Sequence, residues 1–382
     1  MSYLFINHSL ETFTPTVSGA IATHIWECSR AAQRQGLSPV VLSVRGTAEP
    51  HGDVNTILLD YPQVPKRGLR FRLLRAHRRL SGWRHLGQRR HAANVAKAIR
   101  EHGLQDLPMI LHNDPELAVY LRAKFPKAYL IHHFHNQIET AHPFRRSFPS
   151  SVNVITAVSH FTSRWVENHF ALKRGTVQTV YNGVDCAHFT PAQNPHHGSP
   201  IINFLGRTGI EKAPDLVLQA AMELAPGASP FGVQILGSNH WNTFELDDYQ
   251  RLLQSLSGQL ESQGIPVRRA GHVSRALLPT ELRRADIHVV PSRWDEPFAL
   301  TILEGMACGL ATVVAKTGGA PEVVGDAGML FERDSVNGLA SRLRQFLADE
   351  NLRADYAHRA RNRARQFTWD KTWSCFHSLI EN

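Results

Sequence analysis

At about 150 residues per domain, the 382-residue chain has room for two to three domains, which excludes a short peptide ligand or a disulfide-stapled miniprotein. Its 42 Lys and Arg against 33 Asp and Glu give a formal charge of +9, but residues 66–100 hold twelve of the basic residues and no acidic one. Elsewhere 30 basic residues meet 33 acidic ones, so the excess marks a single anionic contact surface and not a protein basic throughout.

An apolar fraction of 42% with 20% charged residues suits a globular chain and is too hydrophobic for disorder. No run of 18 apolar residues occurs, so no membrane-spanning helix is expected. Met1 to Leu10 lacks a basic leading region and reads as a first buried strand rather than a secretory signal. Cys28, Cys186, Cys308 and Cys375 are far apart and form no Cys-x-x-Cys pair. That usage argues against disulfides and structural zinc and fits a reducing cytoplasm.

Short apolar runs alternate with helical stretches along the first half: Tyr3–Ile6, Pro39–Val44, Met109–His112, Tyr129–His133 and Val154–Val158. After the stretch Thr190–Pro200, with three prolines and two adjacent histidines, a second set follows. It comprises Ile201–Leu205, Gly232–Leu236, Pro266–Arg269, Ile287–Val290, Thr312–Ala315 and Gly328–Phe331, with helical spacing over Asp215–Leu224 and Leu277–Ala285. The alternation predicts βαβ units, parallel sheets and an α/β fold in two Rossmann-like lobes, with a ligand crevice between them. The expected boundaries are a first lobe over 1–190, a linker over 191–199, a second lobe over 200–365 and a closing helix over 366–382.

Two segments of the second lobe carry chemistry. Asn203 to Lys212 runs from a strand through a Gly-containing loop towards a helix, and Arg207 and Lys212 could converge on one anion beside helix N-terminal amides. The pattern alone fits a solvated loop as well. Pro291 to Gly309 also leaves a strand and opens a helix, with Glu296 before it and Glu304 about two turns in. The amides of Ala299, Leu300 and Thr301 could cradle a diphosphate, and the two carboxylates could accept hydrogen bonds from sugar hydroxyls. An N-capping acid plus a satisfied helix acid is the plain alternative.

An ordered set of motifs covers nearly the whole chain: Ser18-Gly19, Val158-Ser159, Asn182-Gly-Val-Asp185, Gly206-Arg207 with Lys212, Gly271-His-Val273, Glu296 with Glu304, Gly318-Gly319 and Glu322. In this order they resemble the retaining glycosyltransferases of family 4, whose GT-B architecture has two Rossmann-like lobes facing across a cleft. The resemblance implies transfer of a sugar from a UDP- or GDP-linked donor to a hydroxyl of a glycan, lipid-linked saccharide or small molecule, with retention at the anomeric carbon and no required metal or cofactor. It assigns Arg207 and Lys212 to the diphosphate and Glu304 to the ribose hydroxyls. Glu296, with the backbone of Phe298 to Thr301, would face the donor sugar and phosphates. Val273 would line the nucleobase, and Gly19 would let the pyrophosphate approach the first lobe. Two positions depart from the pattern, Ala213 after Lys212 and Ala299 after Phe298, where the family commonly has Gly.

Leu130 to Asn136 contains His132, His133 and His135, and the strand period places His133 and His135 on one side. From the residues, a metal site and satisfied strand-end histidines both remain open; no carboxylate or cysteine pattern accompanies them. The resemblance implies that His135 approaches the donor sugar and acceptor. No Asp-x-Asp motif is present, in keeping with cationic side chains and helix amides at the leaving diphosphate.

Over Lys66 to Leu80, Leu69, Leu73, Ala76 and Leu80 form one helical stripe ringed by arginines, with Trp83 and Leu86 beyond. The pattern fits an amphipathic helix on an anionic membrane, a core-packed helix with a solvated basic face, or a polyanionic acceptor site. Nothing beside the charge reads nucleic-acid bases. The expected location is the cytoplasm, with peripheral attachment to the inner membrane face through residues 66–100. A nucleotide-sugar epimerase or phosphorylase and a non-catalytic sugar-binding scaffold are alternatives on the same fold. Trp369, Trp373 and Phe376 give the closing helix one apolar stripe, and the resemblance implies that it packs back on the first lobe.

Overall fold

The computed structural model describes residues 2–16, 19–62, 82–85, 87–193, 198–225, 227, 229–239 and 247–381. The whole of the amphipathic stretch predicted over Lys66 to Leu80, as well as Leu86 and Ser18, lies outside those residues. The chain divides into two units, Met1–Asn182 with Trp369–Asn382, and Gly183–Thr368.

The first unit contains β1 (Ser2–Ile6), α1 (Ala20–Arg34), β2 (Ser38–Val44), β3 (Asn55–Leu59), α2 (Gln88–Glu101), β4 (Met109–His112) and α3 (Pro115–Lys124). It continues with β5 (Leu130–Phe134), α4 (His142–Ser147), β6 (Val154–Ala157), α5 (His160–His169), β7 (Gln178–Thr179) and the closing helix α13 (Trp369–Glu381). Its sheet runs β3-β2-β1-β4-β5-β6-β7, every pair parallel. Helices cover both faces, so the central strands are apolar on both sides. Leu4, Ile6, Met109, Leu111, Leu130 and Phe134 join one core cluster. From the opposite face of β1, Tyr3 and Phe5 meet Trp373 of α13, with ring centroids 4.7 and 5.9 Å apart.

The stripe Trp369, Trp373 and Phe376 is buried within this unit. Hydrogen bonds hold α13 at several points: Tyr3 Oη with His377 Nδ1 (2.6 Å), Trp373 Nε1 donating to Gln35 Oε1 (3.1 Å), and Thr372 Oγ1 donating to the Tyr181 carbonyl (2.8 Å). Of the basic segment, α2 is a core-packed helix. Ala92, Val95, Ala96 and Ile99 are buried, while Arg89, Arg90, Lys97 and Arg100 are exposed. Trp83 is buried against Phe144 and Tyr120, and Arg84 reaches Glu116 at 2.8 Å.

The second unit contains β8 (Ile201–Leu205), α6 (Pro214–Leu224), β9 (Gly232–Leu236), α7 (Asp248–Ser262), β10 (Val267–Gly271) and α8 (Leu278–Leu282). There follow β11 (Ile287–Val290), α9 (Leu300–Ala307), β12 (Ala311–Ala315), α10 (Ala320–Val324), β13 (Met329–Phe331), α11 (Val336–Ala348) and α12 (Glu350–Ala364). The parallel order β10-β9-β8-β11-β12-β13 puts a switch point between β8 and β11. In the first unit the corresponding point lies between β1 and β4. At such points successive connections leave in opposite directions, and the strand ends border a crevice.

Two strands were not anticipated. In β3, Thr56, Ile57, Leu58 and Leu59 are only partly buried, as befits an edge strand, and β7 has two residues. Both lack the apolar run that identifies a central strand. The helix expected over Leu277–Ala285 is shorter, Leu278–Leu282.

Candidate functional site

At the switch point of the second unit, the loops after β8 and β11 bring Lys212 and Glu296 together. Lys212 Nζ donates to Glu296 Oε1 at 2.5 Å, and Ser292 Oγ donates to the same oxygen. Glu296 is buried, and Lys212 also stands 5.5 Å from the centre of the Trp294 ring. A buried carboxylate is tolerated because a cation and a hydroxyl both serve it.

Backbone geometry fixes the Glu296 loop from the far side. The Gly319 amide donates to the Glu296 carbonyl at 2.6 Å. Gly318 has φ of 54°, and a Cβ there would lie 2.2 Å from the Glu296 oxygen, so only glycine permits this approach. The Gly318-Gly319 pair thus positions Glu296.

Ala213 and Ala299, the two departures from the family pattern, lie in the left-handed region with φ of 56° and 62°. Each immediately precedes a helix of the site, Ala213 before α6 and Ala299 before α9. Glycine adopts that conformation without a Cβ penalty; alanine is strained in it. Phe298 is buried, while Ala299, Leu300 and Thr301 are partly exposed at the start of α9.

Arg207 is mostly exposed and pairs with Glu211 at 3.2 Å. It lines a pocket of about 170 Å³ with Val273, Gly206, Gly237, Ser238 and His272. Glu304, buried on α9, accepts from Arg275 Nη1 at 2.7 Å, and the Arg275 guanidinium lies 5.4 Å from the centre of the Phe189 ring.

Reasoning from sequence missed the residues that brace these loops. Arg293 donates through two nitrogens to Asp215 at 2.7 Å each, and to Asp334 at 2.7 Å. It also donates to the Ile210 carbonyl at 3.1 Å, tying the loop after β11 to the loop after β8. Its pKa is raised, first by the bond to Asp215. Arg293 lies inside the motif segment, but its partner is 78 residues away in sequence, so no local pattern reveals the pair.

The first unit's switch point is built from imidazoles. As the strand period requires, His132 and Phe134 share one side of the chain and His133 and His135 the other; the ring centroids of the latter pair are 4.5 Å apart. His112, the last residue of β4, approaches His135 with Nδ1 2.9 Å from its Nε2. His24 of α1 stacks on His133 at 5.0 Å, and its Nδ1 donates to Asn182 Oδ1 at 2.8 Å. Burial lowers the pKa of His24 to about 4 and those of His112, His132, His133 and His135 well below the ordinary histidine value, so all five are neutral at pH 7. Asn113, at φ of 54°, accepts the His135 amide proton at 2.7 Å and so fixes its backbone.

Gly19 precedes α1. The Glu11 carboxylate accepts the Ala22 amide at 3.1 Å, and a Cβ on Gly19 would lie 2.4 Å from it. The first-turn amides of α1 are thus served by a carboxylate of the same unit.

Chemically, the second unit offers amides, guanidinium and ammonium groups for an anion and two carboxylates for hydroxyls. The first offers neutral imidazoles able to donate, accept or ligate a metal.

Known proteins share this construction. The family described as "Glycosyltransferase Family 4" matches residues 21–188, and "Glycosyl transferases group 1" matches residues 188–363. Spore coat protein SA of Bacillus subtilis is 25% identical over 291 residues, 70% of this chain and 76% of that protein. Phosphatidyl-myo-inositol mannosyltransferase of Mycolicibacterium smegmatis is 32% identical over 219 residues, 56% of this chain and about half (53%) of its own length. The crystal structure of Anabaena HepE in complex with UDP and glucose superposes over 100% of both chains with a TM-score of 0.72 at 17% identity, a likeness of fold. Two parallel α/β sheets of the GT-B kind, and family matches that together span residues 21–363, place this chain among the group 1 glycosyltransferases of family 4.

Proposed function

We propose that the chain transfers a sugar from a nucleoside diphosphate sugar to a hydroxyl acceptor with retention of configuration and without a metal at the diphosphate. The observation that carries this reading is the meeting of Lys212, Ser292 and Glu296 at the β8/β11 switch point. Lys212 supplies a cation to the departing diphosphate, and Arg207 supplies a second from the rim of the Val273 pocket, where the base is held. The amides of Ala299 to Thr301 complete the anion site, and charge developing on the leaving group meets donors already in place. Glu304 accepts the ribose hydroxyls once Arg275 gives way, and Glu296 orients the donor sugar. Within the first unit, Gly19 would admit the pyrophosphate once the Glu11 carboxylate leaves the α1 amides, and His135 would serve the sugar and acceptor. The acceptor's hydroxyl attacks from the face the diphosphate leaves.

UDP is the first donor base to try, because HepE was crystallised with UDP and glucose. The acceptor class is a glycan, an inositol-type polyol or a lipid-linked saccharide, supported by the mannosyltransferase relative. The basic segment over 66–100 would bring the enzyme to an anionic membrane surface; among the described residues no helix is long and apolar enough to cross one. Vesicle flotation with and without anionic lipid tests that attachment, and no binding at low salt refutes it.

For the reaction, a panel of UDP- and GDP-sugars is screened by thermal shift, since a ligand of the folded state raises stability by mass action. The stabilising donor is then incubated with acceptors and the product's anomeric configuration read by NMR. A retained configuration with release of nucleoside diphosphate is expected; an inverted product, or an epimerised free nucleotide sugar, would overturn the reading.

A further inference from the structure

The buried imidazoles at the β1/β4 switch point exceed what packing requires. One ring nitrogen from each of His24, His112 and His135 lies within 4.8 Å of one from each of the others, and the three side chains come from α1, the end of β4 and the residue after β5. They are 0%, 1% and 6% exposed. Nε2 of His112 has no hydrogen-bond partner among the described residues, although it is buried. A neutral imidazole has one donor and one acceptor nitrogen, and an unserved one in a dry site is costly.

We propose that His24, His112 and His135 form a binding site for a borderline transition-metal ion of the Zn²⁺ class. A tetrahedral ion with Zn–N bonds of about 2.0–2.1 Å holds its ligand nitrogens about 3.3–3.4 Å apart. The three ligand nitrogens already lie within 4.8 Å of one another, so ring movements on that scale bring them to this spacing. Ligands of imidazole alone select Zn²⁺, Ni²⁺, Co²⁺ or Cu²⁺ over Mg²⁺, Ca²⁺ and Mn²⁺, which prefer oxygen. Asn182 Oδ1 on His24 Nδ1 is the outer partner that fixes tautomer and ring angle in metal–histidine sites. Among the described residues no fourth side chain joins the set, so a fourth position stays open for hydroxide or an anion, which offsets the ion's charge.

Binding of the ion does not depend on the transferase reading. One consequence does: an ion on His135 takes the nitrogen proposed above to serve the sugar, so filling the site lowers transfer.

The test uses the full chain stripped with chelator, then Zn²⁺ or Co²⁺ alone. One equivalent is expected to remain after desalting, and the Co²⁺ form should show the visible absorption of a four-coordinate ion. His112→Gln and His135→Gln should each weaken Zn²⁺ binding by about 10²-fold, and Asn182→Ala by about 10-fold, on the scale of lost ligands and outer partners. His132→Gln, outside the set, should stay within about 2-fold of the parent. X-ray absorption on the unaltered protein serves if a variant does not fold: three imidazole nitrogens are expected in the first shell. No retained ion, sulfur in the shell, or undiminished binding in the His112→Gln/His135→Gln double variant would overturn the site. Retained Zn²⁺ with no transfer from any sugar nucleotide would leave the site standing and remove the transferase reading; transfer without Zn²⁺ retention would do the reverse.

Discussion

The same parallel topology ends differently in the two units. At the strand ends of the first unit neutral imidazoles predominate, beside the Arg84 pair with Glu116; at those of the second charge pairs predominate, Lys212 with Glu296, Arg275 with Glu304 and Arg293 with Asp215, beside the buried His288. A parallel sheet leaves its last carbonyls and the following loop amides unpaired, and something polar must serve them. Neutral rings do so without burying charge but lose their advantage in acid. Ion pairs persist over a wider pH range, yet each depends on a partner brought from far along the chain.

Acid should therefore separate the units most strongly. Nine described histidines of the first unit have folded-state pKa values below the ordinary 6.5, with His8 near 3 and His24 and His91 near 4, against His288 among the described residues of the second. Between those limits the unfolded chain takes up protons that the folded unit refuses, so stability falls as pH drops below 6.5. Each histidine that stays neutral contributes about 1.4 kcal/mol per pH unit to that slope. Hydrogen exchange followed by peptide mass from pH 7 to 4.5 should show residues 130–135 losing protection before residues 287–304. Equal loss in both would break the contrast.

Next in size, Asp215→Ala strands the Arg293 guanidinium, and on the scale of a broken buried pair costs about 3 kcal/mol. Denaturant unfolding followed by Trp294 should show it. A change under about 1 kcal/mol would mean Asp334 alone suffices.

Arg207→Ala and Lys212→Ala should each lower transfer by about 10²-fold, the cost of one preorganised donor. Near-normal turnover in either removes that residue from the diphosphate site. Arg275→Ala, which frees Glu304, should alter nucleotide affinity by no more than about 10-fold and leave the other contacts intact. Calorimetry with the nucleoside diphosphate measures this.

The smallest expected effect is a gain. Ala299→Gly relieves the left-handed strain ahead of α9 and should stabilise the second unit by about 0.5–1 kcal/mol, less the entropy glycine restores to the unfolded chain. A loss of stability would show that the Ala299 methyl makes a contact worth more than the strain.

Much of this was legible from residues alone. Apolar runs located eleven strands, because a central parallel strand is buried on both faces and reads as a continuous hydrophobic stretch. The half-buried β3 and the two-residue β7 escaped because edge strands need no such run. The motif order carried the family, and the spacing of Arg207, Lys212, Glu296 and Glu304 named the charged groups of the site. It did not reveal how they pair, since Lys212 and Glu296 are 84 residues apart and the chain between them crosses the sheet.

The +9 charge belongs to the sequence: position alone localised it to residues 66–100. For the four basic residues of α2, folding supplies a core-packed helix with a solvated basic face. Tertiary structure likewise gathered His24 and His112 around His135, from three elements up to 111 residues apart. A sequence sets the period of each strand and helix through local sterics, whereas contacts between distant strand ends arise only when the sheet order brings them side by side.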